Sequence, residues 1–144
     1  MSDSSRTTLV GTAPFLTAAG ARAVLDAALA EAARIGVPQC VAVVDAGGIL
    51  LAFGRSDGAR PGSVAIAQKK ALSAATRLRP TAEEGGGDLL TQVRLSLANE
   101  AITGIGGGFP ILVDGHVIGA IGVSSGTVDE DTQVARAGLA ALGA

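Results

Sequence analysis

The chain has 144 residues, 48% of them hydrophobic and 17% charged, with a formal net charge of −2 at pH 7. That length suits one domain with a core that needs no staple, and the charge balance lacks the basic stripe of a nucleic-acid binder. Cys40 and His116 are the sole cysteine and histidine, which excludes an internal disulfide framework, a multi-Cys metal cluster and a multi-His metal site within one subunit.

Residues 1–16 read as a loose, polar N-terminal arm, and 17–144 as a single domain. From Thr17 to about Ile35, apolar residues at 25, 28, 29, 32 and 33 recur at helical spacing. Gly36 and Pro38 follow as stop signals. Gln39–Asp45 is β-rich with apolar residues on both faces, the pattern of a strand inside a covered sheet. The Ala46-Gly47-Gly48 turn leads to a partner strand over Ile49–Arg55, and Cys40 reads as a small buried hydrophobe. After a polar loop over 56–62, Ser63 is expected to cap a helix that runs to about Arg77, with Pro80 beyond it. Glu83–Gly87 is a break, and a short helix spans Asp88 to about Asn99. Pro110–Asp114 and His116–Val123 read as a second hairpin about Gly115. Thr127 or Asp129 then caps a last helix that ends near Leu142. Short turns between paired strands exclude the parallel crossovers of a Rossmann domain, leaving an α/β architecture with a mainly antiparallel sheet of hairpins flanked by helices. The shortage of large side chains, with 21 Gly and no Tyr or Trp, predicts tight sheet–helix packing completed by other subunits. It also argues against base stacking. No apolar run reaches the ~18 residues that span a bilayer. No export signal is visible at the start, so a cytoplasmic location is expected.

Chemistry concentrates in three places. Arg55-Ser-Asp57-Gly-Ala-Arg60 offers two guanidinium groups that can grip a carboxylate or phosphate with paired N–H donors. Asp57 beside them is a candidate general base or a brace for the arginines. Lys70, on the helix that follows, becomes a candidate acid, base or Schiff-base nucleophile if burial lowers its pKa. The structural alternative is an Arg55–Asp57 ion pair, with Lys70 reaching out to water. The second place joins Gly106-Gly107-Gly108-Phe109 with Ser124-Ser125-Gly126-Thr127. There glycine N–H groups can form an anion or oxyanion nest, Ser124 and Ser125 can donate to the same ligand, and Phe109 can cover it. Close packing explains the same glycines, and a core position the same Phe. The third is His116, a candidate iron ligand or base beside a hairpin turn. Glu83, Glu84 and Asp88 read as a solvated acidic loop. Asp129-Glu130-Asp131 read as first-turn charges that offset a helix dipole.

Val43–Ala59, Lys69-Lys70-Ala71, Gly107–Ile111, Asp114–Gly126 and the Asp131…Ala137-Gly-Leu139 ending together resemble the GlcG/HbpS family of haem-binding or haem-degrading domains. The resemblance runs in order over roughly 17–142. It implies a profilin-like α/β sandwich, assembled into homo-oligomers that are commonly octamers, and it favours Lys70 over Lys69. Two functions follow as expectations. One is a small-molecule-binding protein that takes haem, or a similar planar carboxylated ligand, at a subunit boundary. The other is a cofactor-free enzyme of lyase, isomerase, hydratase or cyclase type acting on a small carboxylated metabolite. Neither calls for a metal site of its own, a nucleic acid or a membrane.

Overall fold

A computed structural model describes residues 8–82 and 88–143. Its centre is the strand β1 (Cys40–Asp45), a Val-rich run whose first five residues are buried. Such a strand must be covered on both faces. Val41 and Val43 point into one apolar cluster, with Val24 and Ala28 of helix α1 (Ala18–Ile35) and Val134 of helix α4 (Val128–Ala140). Cys40, Ala42 and Val44 point into a second, with Ala67, Ala71, Ala74 and Ala75 of helix α2 (Ser63–Arg77). Two helices therefore cover one face of the sheet and one helix the other.

The sheet is four-stranded and wholly antiparallel, in the order β2-β1-β4-β3, with β2 at Leu50–Arg55, β3 at Gly108–Val113 and β4 at His116–Ser124. Both expected hairpins are present, and the fold is the antiparallel α/β sandwich read from the sequence. β3 begins two residues before the expected Pro110, because Gly108 and Phe109 already pair with Gly122 and Ile121. Pro110 is tolerated because β3 is an edge strand, which can spare one ladder N–H.

The scarcity of large side chains has a direct use. A Cβ on Gly122 would lie 2.1 Å from the carbonyl oxygen of Ala67, and one on Gly108 2.5 Å from that of Lys70. The backbone of α2 thus rests on bare backbone of β3 and β4.

Helix ends follow their local chemistry. Thr17 caps α1 by accepting from the N–H of Gly20, and Gly36 ends it at φ 71°. Thr127, rather than Asp129, caps α4, in a reciprocal box with Glu130. Ser63 is not the cap expected for α2. It is the helix's first residue, buried, and Gly62 before it supplies no side chain. Asp88 caps helix α3 (Leu89–Ala98) by accepting from the N–H of Thr91, and Leu89, Leu90, Val93 and Leu97 of α3 are exposed. Glu83 and Glu84, read with Asp88 as an acidic loop, lie outside the described residues. No described helix is long and apolar enough to cross a membrane.

Candidate ligand site at one end of the sheet

Antiparallel register gathers the start of β1, the ends of β2 and β4 and the start of β3 at one end of the sheet: Cys40 lies opposite both Arg55 and Ser124, and Gly108 opposite Gly122. The loops that carry Arg55, Asp57, Arg60, Ser125 and Gly107 all emerge there. His116 does not. It starts β4 opposite Val113, eight residues before Ser124, or about 27 Å along the strand. It is exposed beside the hairpin turn.

The arginine loop is built by main-chain contacts. The N–H of Ser56 donates to the carbonyl of Gln39 at 2.8 Å, and the N–H of Ala59 to that of Ser56 at 3.0 Å. Gly58, at φ 87°, lets the loop turn against Pro38. Arg55 donates through Nε and Nη2 to the carbonyl of Ala59, at 3.2 and 2.9 Å. Its partner is therefore a backbone oxygen and not Asp57. The expected Arg55–Asp57 pair is absent because the loop curls its own carbonyl into the guanidinium fork. Arg60 ties the loop to β4: its N–H donates to Ser125 Oγ and its Nη2 to the Ser125 carbonyl, each at 3.0 Å. Among the described residues, ion pairs join Arg34 to Glu31 and Lys70 to Asp131, so both loop arginines are exposed without a carboxylate counter-charge. The same loop, at Ser56 and Asp57, rims an open groove of about 310 Å³ walled by Ala32, Val37 and Pro38.

Lys70 neither reaches water nor stands free in a pocket. It is 1% exposed, and its Nζ donates to the Val123 carbonyl at 2.8 Å and to Asp131 Oδ2 at 2.9 Å. The side chain runs from α2 past Gly107, at φ 119°, where a Cβ would sit 3.0 Å from Nζ. Asp131 Oδ1 accepts from the N–H of Gly126 at 2.9 Å. Burial pushes the Lys70 ammonium below its ordinary pKa of 10.5, against the opposing pull of the Asp131 charge and hydrogen bond. The unfolded chain therefore binds this proton more readily than the native one, and stability carried by Lys70 rises with pH up to 10.5. Thermal melts of wild type and Lys70→Met, taken from neutral to that pH, are expected to shift in favour of wild type. The opposite slope would mean that the ion pair outweighs the burial.

Two N–H groups of the glycine nest are occupied from within. The N–H of Gly108 donates to Thr81 Oγ1 at 3.1 Å, and that of Gly126 to Asp131. Ser124 is buried in the strand. Phe109 packs against the cluster on the α1/α4 face, with the Arg136 guanidinium 5.7 Å from its ring centre.

Two residues at this end escape the sequence reading. Asp131 looks like one more first-turn acid, yet it starts the buried stripe that continues through Val134, Ala135 and Gly138. An acid at that spacing is the sign of a buried partner. Gln39 shares strand parity with Val41 and Val43, which places it on a covered face, and it is 0% exposed.

This sandwich fold is shared by known proteins. The model of the family described as haem degrading protein HbpS-like matches residues 16–140, and the chain belongs to that family. Protein GlcG of Escherichia coli K12 is 37% identical over 105 residues, covering 72% of this chain and 77% of GlcG. A crystal structure of Streptomyces reticuli HbpS, in a double-mutant form, superposes with a TM-score of 0.85 at 34% identity, covering 96% of this chain and 94% of that one. A PduOC:Heme complex superposes with a TM-score of 0.76 at 25% identity, covering 89% and 95%.

Proposed function

We propose that the protein binds a planar, carboxylated small molecule at the Arg55–Arg60 loop, and that haem is the ligand to test first. One observation carries this reading: two exposed guanidinium groups without counter-charges stand on one braced loop, which also rims an apolar-walled groove through Ser56 and Asp57. Arg55 spends part of its five-donor fork on the Ala59 carbonyl, which fixes its direction and leaves N–H groups for a ligand carboxylate, while Arg60 can turn its fork from the Ser125 carbonyl to the same ligand. The solved haem complex of a family neighbour supports the choice of probe.

The residues suit part of haem. Arg55 and Arg60 would hold its propionates, and Ala32, Val37 and Pro38 would lie against the ring. For the iron this end offers no accessible imidazole or thiol, since His116 is at the far end and Cys40 is buried. A bound haem would bring the redox chemistry of its iron; the chain's part is to grip the carboxylates and shield one ring face. A second copy of the chain supplies the other face. Asp57, exposed at the rim, orients the ligand by repelling its carboxylates toward the arginines.

A haemin titration followed by absorbance is expected to saturate at fixed stoichiometry, with Arg60→Ala and Arg55→Ala each at least tenfold weaker. His116→Ala tests the hairpin tip: a loss confined to that variant would move the site there. Unsaturable uptake, equal in all forms, would end the haem reading.

A further inference from the structure

Gln39 is the exception to the polar bookkeeping of the described residues. Its side chain is fully buried, yet neither the amide oxygen nor the amide nitrogen has a hydrogen-bond partner in the protein. Buried amides are almost always paired, and one that is not calls for a cause. The amide lies directly under the corner formed by Ser125 and Gly126: a Cβ on Gly126 would sit 2.6 Å from Gln39 Nε2 and 3.0 Å from Asp131 Oδ1. That corner is itself strained. Ser125 stands at φ 105°, a conformation that residues with a side chain rarely adopt. What holds it there from outside is Arg60, through its bonds to Ser125 Oγ and to the Ser125 carbonyl. From inside, Gly126 is anchored to Asp131, and Asp131 to Lys70.

We propose that Gln39 is a ligand-recognition residue kept under a latch, the Ser125–Gly126 corner, whose catch is Arg60. A ligand carboxylate that takes over the Arg60 guanidinium removes the bond to the Ser125 carbonyl. Ser125 then relaxes from its strained φ, with Gly126 as the pivot, and the Gln39 amide is uncovered. Its N–H donates to the free oxygen of the same carboxylate. The closed state carries two costs, a strained residue and an unpaired amide, that the open liganded state sheds, and that difference is what lets a ligand shift the equilibrium. Lys70 and Asp131 are positioning residues that keep the pivot in place. The proposal rests on the carboxylate reading of Arg60.

The test uses the full chain with Gln39→Leu and Arg60→Ala, haemin as the probe, and amide hydrogen exchange over Ser125–Thr127. Gln39→Leu is expected to melt no lower than wild type, since it removes an unpaired amide, and to bind haemin at least tenfold more weakly. Arg60→Ala without ligand is expected to exchange the Ser125 and Gly126 amides at least tenfold faster. Gln39→Leu that binds like wild type, or that melts well below it or does not fold, overturns the recognition role; in the latter two cases the amide has a structural partner, such as a water. Unchanged exchange in Arg60→Ala overturns the latch. If wild type itself takes up no haemin at fixed stoichiometry, the carboxylate reading falls and takes the recognition role with it, while exchange still judges the latch.

Discussion

Lys70→Ala is expected to lower stability by about 3–5 kcal/mol, the usual cost of removing one partner from a buried ion pair. For a chain of 144 residues this corresponds to a fall of roughly 10–20 °C in Tm. The cause is the group left behind. Asp131 would keep its bond from Gly126 but lose the ammonium that balances its charge, in surroundings where its side chain is 3% exposed. Removing both charges is a different matter. Lys70→Met combined with Asp131→Leu leaves no unpaired charge, and replacing a buried pair by apolar groups of similar size is often neutral or better. Denaturant melts of the single and double variants make the check. A Lys70→Ala protein within 1 kcal/mol of wild type would mean that Asp131 is better solvated than its burial indicates.

Gly122→Ala is the second large effect, and it arises from close approach rather than charge. The added methyl would lie 2.1 Å from the Ala67 carbonyl oxygen and 2.5 Å from the Ala71 nitrogen. Both are backbone atoms of α2, so no rotamer change can relieve the clash. The helix would have to lift off the sheet and open the Ala-rich cluster beneath it. The expected cost is about 3 kcal/mol or more, the upper end for overpacking a core. Gly62→Ala is the matched control, because a Cβ there meets nothing within 4 Å. Urea midpoints of the two variants should separate clearly, and equal midpoints would show that α2 is not seated on Gly122.

Much of this architecture was legible in residue order. Val-rich β1, the Gly-centred turns and the Gly36 and Pro38 stops are local features, and local features survive folding. The resemblance to the family added the sandwich. The site was legible in composition but not in wiring. Arg55, Arg60 and Ser125 were marked as candidates because of their chemistry; that Arg60 ties to Ser125 depends on β4 ending beside the loop after β2, which only the sheet order determines. Asp131 was taken for a dipole charge because its first-turn position is a sufficient local explanation, and its place on the buried stripe becomes decisive only once α4 is docked. The expected Arg55–Asp57 pair failed for a related reason: sequence proximity suggests opposite charges as partners, while the loop's own carbonyl reaches the guanidinium first. Gln39 has no chemical mark at all, only its parity with Val41.

The strand order also says when the molecule can close during synthesis. The N-terminal hairpin of β1 and β2 has its inner edge free until residues 116–124 arrive, because β4 sits between β1 and β3. Lys70 likewise waits for a residue 61 positions later to balance it. A chain emerging from the ribosome therefore carries an open strand edge until β4 is made and, for 61 residues of synthesis, an uncompensated cation. Residues 116–131 complete the sheet and neutralise the charge almost together. Closure of the sheet is late, and the open edge is the surface a nascent chain must keep from pairing with its neighbours.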